Sequence, residues 1–175
     1  YKDACVLLDE AGKGELASLD SARVFAEAGS PGEKLLKNTR QQIELLIKSL
    51  RANLDSFYRQ AIGSLPPLEL SAEEKSASQL TPAWIIPLAE SLKIIGASGA
   101  GRFANQSSNG LHSLYAYEVL NLINGKRTVL EIYHTVLAAA LSKGEWYHGS
   151  VTLDSVKDML ERVAKTGAIR LNHIR

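Results

Sequence analysis

Glu131 and His134 stand in the Glu-x-x-His spacing that sets two metal ligands on one face of a helix. A carboxylate-bridged dinuclear site needs that motif twice, together with two further glutamates, and the chain holds one copy. His112, His148 and His173 are scattered without ligand spacing. Cys5 is the single cysteine, which excludes an internal disulfide and a thiolate zinc site and fits a reducing compartment. Gly99-Ala100-Gly101 lacks the following glycine and the preceding strand of a dinucleotide loop. No Gly-x-Ser-x-Gly turn presents a serine nucleophile. These residues predict no catalytic centre complete within the chain, no cofactor and no metal.

The segment that would position Glu131 and His134 reads as a winged helix-turn-helix between Leu114 and Leu171. Leu114, Tyr117, Leu120 and Ile123 recur at helical spacing, and Asn124-Gly125 ends that helix. Thr128 with Glu131 forms a capping box for a second helix, and Thr152 or Asp154 caps a third. In the third helix Val156, Met159, Leu160 and Val163 fall at i, i+3, i+4 and i+7, a core face. Gly167 closes it before the short apolar run Ala168-Ile169-Arg170-Leu171, which reads as a strand.

Between the second and third helices, a tip carries Trp146, Tyr147 and His148. Exposed aromatics contribute strongly to interfaces, so this tip is a candidate partner contact, and Ala168, Ile169 and Arg170 are candidates because a peptide strand could add beside the run Ala168 to Leu171. The alternative for Trp146 is to pack the tip onto the N-terminal helices. Such a fold invites a DNA function, with the third helix in the major groove. Its first turns carry Asp154 and Asp158 around Lys157, carboxylates that repel the phosphate backbone. From Leu111 to Arg175 eight basic residues stand against six acidic ones, a surplus of two. Peptide or protein is therefore favoured over DNA.

Residues 1 to 62 are helical by pattern. A first helix, or two short ones broken around Gly12-Lys13-Gly14, runs to Ala28. Ser30-Pro31-Gly32-Glu33 then starts a long helix: Ser30 caps, Pro31 suits the first turn, and Glu33 reaches back. Ile43, Ile47, Leu50, Leu54, Phe57 and Ala61 alternate in steps of four and three, an apolar stripe that requires a partner. Folded back as a hairpin, the first helix would cover it; between chains, the Ile43 to Ala61 face would make a homodimer. Gly63 to Leu68, with Pro66-Pro67, stops the helix. Residues 69 to 81 are polar, a short helix or a loop. The apolar run Pro82 to Ile95 fits strand and helix periods alike. Residues 96 to 110, rich in Gly, Ser and Asn, read as a linker or exposed loop.

The chain has 175 residues, 45% of them hydrophobic, enough for one good core or two small ones. Twenty basic residues against nineteen acidic leave a net charge of +1, no global field to gather nucleic acid or anionic lipid. The apolar runs fall short of a membrane span, so no membrane partner is expected and a cytoplasmic location is favoured. The chain begins at Tyr1 without an initiator Met or a signal-peptide pattern, as expected of a piece of something longer.

The run Tyr117-Glu118-Val119-Leu120-Asn121-Leu122-Ile123-Asn124-Gly125-Lys126-Arg127-Thr128-Val129-Leu130-Glu131-Ile132, with Val156 to Leu160 and Gly167-Ala168-Ile169, resembles the C-terminal module of bacterial zinc aminopeptidases of peptidase family twenty-eight, related to the transferrin receptor. The likeness covers about a third of the chain well and residues 1 to 110 loosely. It implies a helical segment and a winged unit that follow a catalytic domain. That family's zinc ligands, a His-x-Asp and a Glu-Glu pair on a mixed sheet, have no counterpart here: Glu73-Glu74 matches only as a dipeptide. Peptidase activity and zinc would thus belong to a longer parent. Less closely, the same run is similar to peptide-binding winged modules typified by the peptide chaperone of pyrroloquinoline quinone biosynthesis. Those hold a leader peptide as an added strand.

The expectation is a mainly α protein: a helical region over 1–95, a linker or loop over 96–110, and a winged helix-turn-helix domain with a small β-wing over 111–175. Its expected function is that of a non-catalytic domain of a zinc aminopeptidase-like protein, serving stability, dimerisation or substrate access. A peptide- or protein-binding adaptor is the alternative and a DNA-binding regulator the third.

Overall fold

The computed structural model describes residues 1–97, 111–144 and 149–174. They are mainly helical, with one two-stranded antiparallel sheet. The chain divides into two compact units, Tyr1–Leu68 and Glu69–Arg175.

The first unit is an antiparallel helical hairpin. Helix α1 spans Lys2–Ala22 and a 3₁₀ turn, Arg23–Phe25, follows it. Helix α2 spans Pro31–Ile62. The start signal works as its residues dictate: Ser30 Oγ accepts from Glu33 N at 3.2 Å, and the Glu33 carboxylate accepts from Gly29 N. Gly63, at φ 86°, closes α2 in the left-handed conformation that glycine adopts without strain.

Gly12-Lys13-Gly14 does not break α1. Gly12 is buried, and a Cβ there would overlap the Ile47 side chain, so the missing side chain lets the two helices approach. The register follows from three further contacts: Tyr1 with Asp55, Asp9 with Arg51 and Asp20 with Arg40.

The expected stripe on α2 is covered only in part. Half-buried Leu36, Ile43, Ile47, Leu54 and Tyr58 lie along one face of α2, whereas Leu50 is 44% exposed, Phe57 64% exposed and Ala61 exposed. At about 100° per residue, Leu50 and Phe57 lie roughly 60–80° around the helix from Ile47, on its flank.

The second unit gathers seven elements, among the described residues, around one core. Helix α3, Ala72–Ser78, starts on a Ser71–Glu74 capping box. Strand β1, Leu80–Trp84, and helix α4, Leu88–Ala97, divide the ambiguous apolar run between them, strand first. Helices α5 (Ser113–Leu122), α6 (Val129–Lys143) and α7 (Leu153–Lys165) are the helix-turn-helix elements, and β2 (Ile169–His173) ends the unit. Tyr115, Val119, Ile132, Val136, Val156, Leu160 and Val163 are fully buried, each helix supplying its apolar face.

The wing is built at long range. β2 pairs antiparallel with β1, Leu80 opposite His173 and Trp84 opposite Ile169. Ala77 and Ile95 also enter this core. The division therefore falls at Leu68–Glu69 rather than at residue 95, because residues 69–95 supply the strand that β2 needs. Helix α4 takes up residues 96 and 97 of the expected linker, and its remainder, 98–110, lies outside the described residues.

Candidate functional site

Glu131 is occupied by its own helix. Its carboxylate accepts from Thr128 N at 2.8 Å and from Thr128 Oγ1 at 3.2 Å, while Thr128 Oγ1 accepts from Glu131 N at 3.1 Å. Both groups thereby satisfy N-H groups that the first turn leaves open. His134 is half-buried beside Tyr133, ring centroids 5.5 Å apart. Glu74 caps α3 in the same way, accepting from Ser71 N at 2.7 Å. His112 caps α5, its Nδ1 accepting from Leu114 N at 3.2 Å. His173 is exposed at the end of β2. Among the described residues no group of three or more His, Cys, Asp or Glu side chains is placed to hold a metal ion. No helix among them is long and apolar enough to cross a membrane.

Of the expected partner contacts, Trp146, Tyr147 and His148 lie outside the described residues. Ala168 and Ile169 are buried, and Arg170 alone offers an exposed side chain. The Ala168 backbone is committed within the unit: its N-H donates to Thr166 Oγ1 at 3.3 Å and its carbonyl accepts from Ile85 N at 3.0 Å.

What β2 offers is its outer edge. Ile85 N donates to Ala168 O, and Ile174 N to Gln79 O at 2.9 Å, at the two ends of the ladder. Hydrogen-bonded and non-bonded pairs alternate in an antiparallel ladder, so Arg170 and Asn172 turn their backbone groups toward β1. Ile169, Leu171 and His173 turn theirs away, and no backbone group among the described residues bonds to them. The outer edge of β1 is partly closed: Pro82 has no N-H, and its carbonyl accepts from Gly125 N at 3.1 Å. The sheet thus has one blunted edge and one edge open from Leu171 to His173, with Ile169 buried.

Helix α7 offers little to a phosphate backbone. Asp158 pairs with Arg162, and the other charged residues of the helix are Asp154, Lys157, Glu161 and Lys165, so acids and bases balance.

The hairpin carries two further surfaces. At its closed end a cleft of about 390 Å³ is lined by Arg23, Lys34, Lys37 and Arg40 with Asp20 and Glu33. Asp20 already engages Arg40, which leaves the cleft mildly basic. The other surface is the flank of α2: Leu35 is 66% exposed, Leu46 58%, Leu50 44% and Phe57 64%. Thr39, Gln42, Asn53 and Gln60 fall between them in steps of three and four, giving an uncharged stripe almost the length of the helix. This stripe adjoins the one the sequence marked but is not the same; its signal was the absence of charge, not the positions of the aliphatic residues alone.

Neither a family model, nor a curated protein, nor a solved structure matches this chain.

Proposed function

We propose that the chain is a non-catalytic assembly module, the helical and winged-helix accessory part of a zinc aminopeptidase-like protein, and that it acts by protein contact. The observation that carries this reading is the uncharged stripe of α2, where Leu46, Leu50 and Phe57 stand exposed together on a 32-residue helix. Large apolar side chains exposed together on one side of a helix mark interaction surfaces. Glu131 and Glu74, spent on helix caps, fit a scaffold better than a reaction centre. The experiment is the mass of the native product. An antibody against the hairpin should detect a protein far heavier than 19.0 kDa in extracts of the source cells, and a product of 19.0 kDa would remove the aminopeptidase reading.

The open edge of β2 favours a second reading, a peptide-binding adaptor. Leu171 and His173 present backbone donors and acceptors to a strand that would add beside them. Fluorescence anisotropy separates this from a DNA-binding regulator. Saturable duplex binding that weakens steeply with salt would restore the regulator.

A further inference from the structure

We propose that the uncharged side of the N-terminal hairpin is the seat of a second copy of this chain, held in an antiparallel twofold pairing of α2 against α2. The proposal rests on reading the hairpin as the assembly part and names its partner.

The charge distribution selects the side. At about 100° per residue, every charged residue of α2, from Glu33 to Arg59, falls within one arc of roughly 120°. The interhelix ion pairs Arg51–Asp9 and Arg40–Asp20 lie on that side of the hairpin. The opposite flank of α2 carries no charge, and by the antiparallel geometry Ala4, Leu8, Ala11 and the exposed Glu15 of α1 border it. A surface helix in water ordinarily carries charges on the face away from its packing partner. Here the uncharged flank is large, exposed and continuous.

The stripe is self-complementary. Turned about a twofold axis between Leu46 and Leu50, the helix lays Leu46 against the partner's Leu50, Gln42 against the partner's Asn53, Thr39 against the partner's Phe57, and Leu35 against the partner's Gln60. Such a closed, isologous contact repeats each pair twice. Four leucines then meet at the centre, and the Gln42 and Asn53 amides pair on either side, polar groups of the kind that fix register in helical seams. No charge of α2 is desolvated. From Leu35 to Gln60 the stripe runs about 39 Å and, with the border on α1, is about 20 Å wide, close to the ~800 Å² per partner of a specific interface. A membrane fits less well, because helices that lie in lipid interfaces use bulky aliphatic and aromatic faces, and amides and a threonine occupy half of this stripe.

Sedimentation velocity on the whole chain tests the pairing. The expected species has twice the 19.0 kDa chain mass. Leu46→Glu with Leu50→Glu should yield a folded monomer, its helical circular dichroism unchanged. Gln42→Lys with Asn53→Lys opposes like charges only if the two positions meet, and should raise the dimer Kd by about 100-fold. Gln42→Lys with Asn53→Glu opposes unlike charges and should keep the dimer. A wild-type monomer, a dimer indifferent to these changes, or a monomer that floats with anionic phosphatidylserine vesicles would each overturn the proposal. None of these results depends on the mass of the native product, so the two readings fail separately.

Discussion

Gly12 of α1 abuts Ile47 of α2 so closely that a Cβ at position 12 would overlap the Ile47 Cδ1 methyl. Gly14, two residues on, has nothing within 4 Å of the same position. Both glycines cost helix propensity, but only the first gains a contact for it. Gly14→Ala should therefore stabilise the hairpin by about 0.5–1 kcal/mol, and Gly12→Val should destabilise it by about 1–3 kcal/mol. Ile47→Val removes the Cδ1 atom and should relieve part of the Gly12→Val penalty. A thermal-denaturation double-mutant cycle measures that coupling, and additive effects would show that the two residues do not touch.

The same glycine marks the limit of what could be read from the sequence. A glycine that breaks a helix and a glycine that lets two helices meet look alike until the partner is known. End signals were legible because each is satisfied within its own turn: Ser30 with Glu33, Thr128 with Glu131, and Thr152, which accepts from Ser155 N at 3.2 Å. Strand β1 was not, since five residues fit both periods and the strand that completes them, β2, lies at the far end of the unit. The covered face of α2 was half legible. Ile43, Ile47 and Leu54 belong to it, but where α1 sits decides that Leu50 and Phe57 do not. The run Ala168 to Leu171 was legible as a strand, but which of its residues turn their backbone groups outward depends on the pairing with β1.

The Thr128–Glu131 box carries Glu131, which with His134 has the spacing of a metal-ligand pair. Thr128→Ala should cost about 1 kcal/mol of stability, the usual loss of an N-cap hydroxyl. Glu131→Ala should cost a similar amount through the Thr128 N-H it leaves unmet. Elemental analysis after dialysis should find less than one zinc per chain in the wild type and no change in the variants. A stoichiometric zinc lost in Glu131→Ala would make this carboxylate a ligand instead of a cap.

Alkali should loosen the hairpin at its open end. Tyr1 donates its hydroxyl to Asp55 Oδ1 at 2.6 Å, and the carboxylate holds that proton so that the phenol's pKa is pushed from 10.0 up to about 12. Because the folded-state value is raised, the contribution to stability is fully present below pH 10 and is lost as pH rises through about 12. The Tyr1 ring also packs on Tyr58, tilted, with centroids 4.9 Å apart, so ionisation disturbs a ring contact as well as a hydrogen bond. Tyrosinate absorbance should show one late-titrating phenol in the wild type that is missing in Tyr1→Phe. A wild-type curve identical to that of the variant would place the Tyr1 hydroxyl in water.

The two sides of β2 should respond oppositely to proline. Arg170 stands in a pair whose backbone groups face β1, so Arg170→Pro deletes a ladder hydrogen bond and should unfold the wing, as in the interior of a sheet. Leu171 is half-buried and faces Pro82 across the ladder with its N-H turned to the open edge. Leu171→Pro removes a donor that β1 does not use, a position that tolerates proline as edge strands do. The unit should stay folded, with hydrogen-exchange protection kept in α6 and α7. If peptides bind by adding a strand here, their affinity should fall by about tenfold or more with the lost donor. Peptide binding that survives Leu171→Pro in a folded unit would remove the edge of β2 as the recognition surface and leave the hairpin as the part of this chain that meets a partner.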